Sequence, residues 1–371
     1  MQPPGRIGYL QNLQVLRFLA AAMVVLSHLE HETGDSRLAG VAAVHDPSHI
    51  SWAGGVDVFF MVSGFIMYHL TADRFGSRAY VGEFLKRRFI RVAPLYWIFT
   101  ALMLVAIQTA HGEIHHPDAG WRRVLLSCLF LPTQRSDGLF MPILGAGWTL
   151  NLEIMFYLAY GAALSLRKPV GIAALVLAFF CLAVFSGPLM ALQPALGVWA
   201  QPVILEFLAG ILVAHLYRNP SLRVGRLVQL AGVALAFALM PPLDHLTWVG
   251  PWPMPVGTQP PDWSRWLWGG APALLITASL MLGPQVGGLA GRVMARIGDA
   301  SYALYLCHPF VLNVLALAWT RLSLPKSGWL YIACGMLACI AAALAVHRTV
   351  EVPLLALLRR RFEPTRAAVP A

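Results

Sequence analysis

Charge is scarce in this chain: 12% of its 371 residues are Asp, Glu, Lys or Arg, about half the share that a soluble domain carries. With 58% hydrophobic residues beside that deficit, an ordinary soluble domain is excluded and a polytopic membrane protein is expected. Cysteine is sparse as well. Cys128, Cys181, Cys307, Cys334 and Cys339 all lie in apolar runs without CxxC spacing, so they read as packing residues and not as a disulfide framework or a metal site. No period of about 20 to 50 residues repeats and no inverted halves are visible, which weakens a transporter reading. No serine sits in a nucleophile-elbow pattern, which argues against a covalent serine intermediate. The histidines lack ligand spacing, so no metal is implied; His115 and His116, adjacent in a loop, read as solvated.

What the chain has in abundance is long apolar runs. Taken at about 20 residues each, they predict ten spans, near 10–29, 52–72, 92–111, 148–166, 169–187, 198–217, 227–242, 264–283, 300–320 and 329–350. Backbone groups in lipid have no water to bond, so the fold expected is all-α, with about ten transmembrane helices. The segment 121–132, WRRVLLSCLFLP, is too short to span and reads as re-entrant or interfacial. Arg6 before an apolar run resembles the start of a signal peptide, but the run's length and the Arg17 inside it argue otherwise. An even number of spans puts both ends on one side. With both ends cytoplasmic, Lys and Arg in the inner segments outnumber those in the outer ones by more than two to one. The formal charge of +10 therefore belongs to topology and anionic lipid, and nucleic acid is not an expected partner. The outer tract 241–263, rich in Pro, Trp and Gly, offers interfacial anchors or rings that stack on sugars.

Against this background a few ionisable residues stand out. Arg17 and His28 share the first span, LQVLRFLAAAMVVLSH. Eleven residues apart, they lie about 20° apart around a helix and roughly 16 Å apart along it. An arginine in a span usually faces a bundle interior or a wet cavity. Asp57 in GGVDVFFMVSGF and Glu153 in GWTLNLEIMFYL fall near the outer ends of their spans, at the depth expected for His28. Three groups suited to proton transfer are thus predicted at one level, with a carboxylate orienting the histidine as a general base. On the inner side, KRRFIRVAPLYW places Arg88 and Arg91 three apart, and Arg87 and Arg91 four apart. Either spacing lets a helix present two guanidinium groups to a phosphate. The ninth span opens GDASYALYLCHPF, whose Ser301, Tyr302, Tyr305 and His308 form a polar stripe, and Glu206 is a buried carboxylate suited to neutralising Arg17.

Together LRFLAAAMVVLSH, GGVDVFFMVSGFIM, FLKRRFIRVAPLYW, GWTLNLEIMFYL, EFLAGILVAHLYR and GDASYALYLCHPF resemble, in order, the motifs of the membrane-bound acyltransferase family 3. That family includes O-acyltransferases of bacterial surface polysaccharides, and the single-domain length resembles its exopolysaccharide-modifying branch. The resemblance implies about ten helices around an acyl-transfer cavity, with an acyl-CoA donor, acetyl-CoA first among the candidates, from the cytoplasm. The acceptor implied is a carbohydrate or lipid-linked sugar presented from outside, in a bacterial inner membrane. Mapped onto this chain, the resemblance implies Arg17 and His28 as the first-helix pair, Arg88 and Arg91 as the RxxR pair and Glu153 as the acidic residue after the Trp-Thr motif. With Asp57 from the reading of depth above, His28, Glu153 and Asp57 are the expected catalytic group and Arg17, Arg88 and Arg91 the donor-binding group. Trp148, Ser301, Tyr302, Tyr305, His308 and Glu206 are substrate-contacting or structural. Residues 1–361 then form one transmembrane domain and 362–371 a disordered cytoplasmic tail. This reading requires His28, Arg17 and Arg88 to open onto a shared cavity. The competing expectation is a transporter or flippase for an anionic lipid or sugar intermediate.

Overall fold

The computed structural model describes residues 9–38, 40–44, 52–109, 119–136, 138–240 and 263–362. Among the described residues the regular structure is helical, apart from one isolated bridge between Gln134 and Phe140. The α-helices are α1 (Gln11–Thr33), α2 (Gly55–Thr71), α3 (Arg78–Thr109), α4 (Trp121–Cys128), α5 (Trp148–Leu164), α6 (Lys168–Val184), α7 (Ser186–Leu192), α8 (Pro194–Trp199), α9 (Leu205–Tyr217), α10 (Arg226–Leu239), α11 (Trp263–Leu282), α12 (Gly288–Asp299), α13 (Ser301–Arg321), α14 (Gly328–Val346) and α15 (Val352–Phe362).

Among the described residues a helix overlaps each of the ten predicted spans, with 198–217 divided between α8, a 3-10 turn and α9, and α3 starting well before 92. Six stretches are long and apolar enough to cross a membrane: Gln11–Thr33, Trp52–Thr71, Arg78–Thr109, Pro194–Tyr217, Ser301–Arg321 and Gly328–Phe362. A seventh is added if α6 and α7, bent by 66° at their junction, are one broken span. The protein is therefore a polytopic membrane protein. At 17 and 14 residues, α5 and α10 are about 26 and 21 Å long, short of a hydrocarbon core of about 30 Å. The eight-residue α4 bears out the expectation that 121–132 is too short to span. The tract 241–262, His115 and His116, and the tail from 363 lie outside the described residues.

Two features of the packing position the site. First, α1 is central: it packs on α2, α11, α12, α13 and α14, which is why Arg17 is kept from lipid. Second, α2 and α9 approach until backbone meets backbone. A Cβ on Gly64 would lie 1.9 Å from the Phe207 carbonyl oxygen, and one on Gly210 would lie 2.0 Å from that of Met61. Only glycine fits at either position, and small residues serve this purpose where lipid removes the hydrophobic drive between helices. Stacked on this contact, Phe207 and Phe156 lie 4.2 Å apart, with Phe60 4.8 Å from Phe207. That aromatic layer ties α2, α5 and α9 together, and its Phe60 lines the cavity described next.

Candidate active site

A cavity of ≈ 140 Å³ is lined by α1, α2, α3, α5 and α13. Arg17, Arg88, Arg91 and Glu153 line it, as do Ser63, Thr149, Tyr157, Ser301, Tyr302 and Tyr305. The two arginines of α3 reach it because the helix is continuous from Arg78 for 32 residues, so the basic run belongs to a helix and not to a loop. Residues three apart then share a face. Arg87 turns outward instead and pairs with Glu83, so the pair at the cavity is Arg88 with Arg91.

Each cavity arginine is held differently. Arg17 donates from Nη1 to Gln14 Oε1 at 2.8 Å, and the carboxylates whose charge acts on it are those of Glu351, Asp299 and Glu153. Glu206, expected to neutralise Arg17, is buried in the first turn of α9 where that helix packs on α2. Arg91 donates from Nη1 to Glu351 and lies over the ring of Tyr302, 5.6 Å from its centroid. The Tyr302 hydroxyl donates to the Val92 carbonyl at 2.7 Å, joining α13 to α3. Arg88 stacks 5.9 Å over Phe84, and its Nε is buried without a hydrogen-bond partner among the described residues. A buried guanidinium N–H left open costs free energy unless something else accepts from it. Ser301 Oγ, also on the cavity wall, is in the same condition.

The three proton-transfer candidates do not gather. Glu153 Oε1 accepts from Ser63 Oγ at 2.7 Å and from the Tyr157 hydroxyl, which places it among the guanidinium groups. Ser63 is six residues beyond Asp57 on α2, about 9 Å deeper. Counting turns from each helix's own start assumes that the helices start level, and α2 and α5 do not. The buried carboxylate of Asp57 lies instead at the first turn of α2, over Gly269 of α11, where the helix N-terminus favours its charge. Trp148, which opens α5, is buried edge-on to Phe60, 6.4 Å away.

His28 is half-buried on α1 and is not on the cavity wall. Its Nδ1 lies 2.8 Å from the Val24 carbonyl oxygen, one turn back. A carbonyl only accepts, so Nδ1 carries the hydrogen and Nε2 keeps a lone pair. The tautomer that a general base needs is thus set by the helix backbone, where a carboxylate had been expected. The His28 ring meets that of His308 edge-on, centroids 4.9 Å apart. His308 follows the same pattern, with Nδ1 3.3 Å from the Leu304 carbonyl oxygen and Nε2 buried without a hydrogen-bond partner among the described residues. Between this pair and the cavity stands Tyr305. Its ring is 6.0 Å from that of His308, and its hydroxyl donates to the Ala146 carbonyl at 2.9 Å beside Thr149 Oγ1. Tyr305 thus both lines the cavity that holds Arg17 and Arg88 and touches the histidine pair.

Four residues of the site carried no expectation. Tyr157 stands four after Glu153, a spacing that does announce contact on a helix. Ser63 had no signal. Glu351 and His347 sit in a stretch whose arginines drew the eye to topology, although a single acid two residues before Pro353 was there to be noticed.

Residues 10–348 match a family model described as an acyltransferase domain, of the acyltransferase family 3. The exopolysaccharide production protein ExoZ of Rhizobium meliloti (strain 1021) is 32% identical over 310 residues, 80% of this chain and 88% of its own. The acyltransferase MdmB of Streptomyces mycarofaciens is 27% identical over an alignment covering 99% of this chain and 97% of its own. Protein 2 in the picA locus of Rhizobium radiobacter is 28% identical over 190 residues, 45% of this chain. No solved structure matches.

Proposed function

The chain belongs to acyltransferase family 3, and from that premise we propose that it moves an acetyl or succinyl group from cytoplasmic acyl-CoA to a hydroxyl of a surface carbohydrate or lipid-linked sugar. We place it in a bacterial inner membrane with ten spans and both termini cytoplasmic. Residues 1–361 form its catalytic domain and 362–371 a tail. The observation that carries the reading is the cavity itself. Three guanidinium groups from two helices converge there, one with a buried N–H still unbonded, and arginine is the residue that binds phosphate through several N–H groups at once. A likeness to an exopolysaccharide production protein supports a carbohydrate acceptor.

In this mechanism Arg88, with Arg17 and Arg91, takes the phosphates or polar arm of the donor. The acyl end passes Tyr305, whose side chain swings off the Ala146 carbonyl. The acceptor hydroxyl, entering from the outer side, gives its proton to His28 Nε2 as its oxygen bonds to the thioester carbonyl carbon. The carbon–sulfur bond then breaks, and the departing thiolate recovers the proton from the imidazolium. His308 lies against His28 and is available to share that charge. The test is release of CoA by the purified protein, supplied with acetyl-CoA or succinyl-CoA, with and without surface glycan from cells lacking the protein. Release that requires the glycan, with acylated glycan found by mass spectrometry, is the expected result. Absence of thioester cleavage with either donor contradicts it.

A further inference from the structure

Glu351 has no part in that mechanism, yet its side chain is 1% exposed and has two partners: Arg91 Nη1 donates to Oε1, and His347 Nδ1 donates to Oε2 at 2.7 Å. The backbone is distorted at this point. Residues His347–Glu351 form a π-turn between α14 and α15, and the extra residue re-aims the side chains by about 100° relative to an uninterrupted helix. Pro353 supplies a local cause, since it offers no N–H to the Thr349 carbonyl four residues back. Such turns recur at functional positions.

The consequence is an asymmetry between two neighbouring arginines. Arg91 is already neutralised by a buried carboxylate, whereas Arg88 has an N–H still unbonded. Burying a carboxylate is costly unless it is paired, and a site shaped only for tight anion binding has no use for one. We infer that Glu351 is a positioning residue that holds Arg91 and, as a fixed counter-charge, limits the cavity's grip on CoA, so that the deacylated carrier can leave. This inference rests on the acyl-CoA reading above. The three arginines are opposed by Glu153 on the cavity wall, by Glu351 on Arg91 and by the charge of Asp299 on Arg17. Neutralising Glu351 removes one of these negative charges, the one in direct contact with a donor-binding arginine.

CoA itself is the probe, because it keeps the phosphates and dispenses with the acyl group. Calorimetry on the full-length protein in detergent is expected to show E351Q binding CoA about tenfold more tightly, because a charge is lost while an oxygen remains for Arg91. E351D, which keeps the charge, does not tighten. A residue with a merely structural role cannot produce this gain. The second arm uses R91Q, which leaves Glu351 facing the donor and weakens CoA binding about tenfold or more; R91Q/E351Q recovers most of that loss. An E351Q affinity equal to or weaker than wild type, or a double variant no better than R91Q, overturns the inference. If E351Q alone does not fold, the second arm decides. A wild-type protein that fails to bind CoA overturns the acyl-CoA reading and this inference with it. Binding that R88A weakens and E351Q leaves unchanged overturns the counter-charge alone.

Discussion

In the cavity, Arg91 and Glu153 are held by side chains, Arg91 by Glu351 and Glu153 by Ser63 and Tyr157, whereas His28 and His308 are each held by a main-chain carbonyl of their own helix. Contacts between long side chains can be exchanged for a ligand's phosphates without disturbing a helix. A carbonyl one turn back fixes an imidazole's tautomer whatever is bound. The difference suits the two tasks proposed above, recognising an anion that must enter and leave, and holding an imidazole in one tautomer. Tyr305 lines the cavity and touches His308, and in the mechanism proposed above it stands between the two tasks.

If the division is real, the variants separate cleanly. The largest effect is expected for His28→Ala: loss of the base costs a factor of about 10² to 10⁴ in turnover, with CoA affinity within about twofold of wild type. A comparable loss of CoA binding would place His28 in the donor-binding group. Next comes Arg88→Ala, expected to weaken CoA binding by about ten- to a hundredfold, the worth of charge-assisted hydrogen bonds. Turnover at saturating donor should fall far less, and the reverse pattern would exchange the assignments. Tyr305→Phe removes the tether to Ala146, a hydrogen bond worth about 1 kcal/mol. It should raise the maximal turnover by up to about fivefold and leave CoA affinity alone; a drop in turnover would make the hydroxyl a participant and not a latch. The smallest effect belongs to Ser63→Ala, which removes one of the hydrogen bonds to Glu153. A change in CoA affinity below about fivefold is expected, and a loss of turnover matching that of His28→Ala would move the chemistry into the cavity.

Much of this was legible in the sequence because polar residues in apolar spans are costly. Arg17, Arg88, Arg91, Glu153 and the Ser301, Tyr302, Tyr305 face were found that way, and the cavity brings them together. The spacing of Arg88 and Arg91 sufficed because both lie within one unbroken helix. Relative depth was not legible. Glu153 and Asp57 each lie near the start of a helix, but where one helix starts relative to another depends on packing such as the glycine contact between α2 and α9. Nor was the partner of Arg91, because a π-turn changes which face a residue occupies, and periodicity counted at 3.6 residues per turn misplaces everything beyond it. The transporter expectation fell to the family match, and not to anything in the composition.

The central claim is that a donor anchored at Arg88 reaches His28 by passing Tyr305. It is tested most directly by the structure of the protein bound to a non-hydrolysable thioether analogue of acetyl-CoA. The account predicts phosphate oxygens on the Arg88 guanidinium, the Tyr305 hydroxyl off the Ala146 carbonyl, and the analogue's acyl carbon beside His28 Nε2. An analogue whose acyl group stops among Glu153, Ser63 and Tyr157, with Tyr305 still in place, would contradict it.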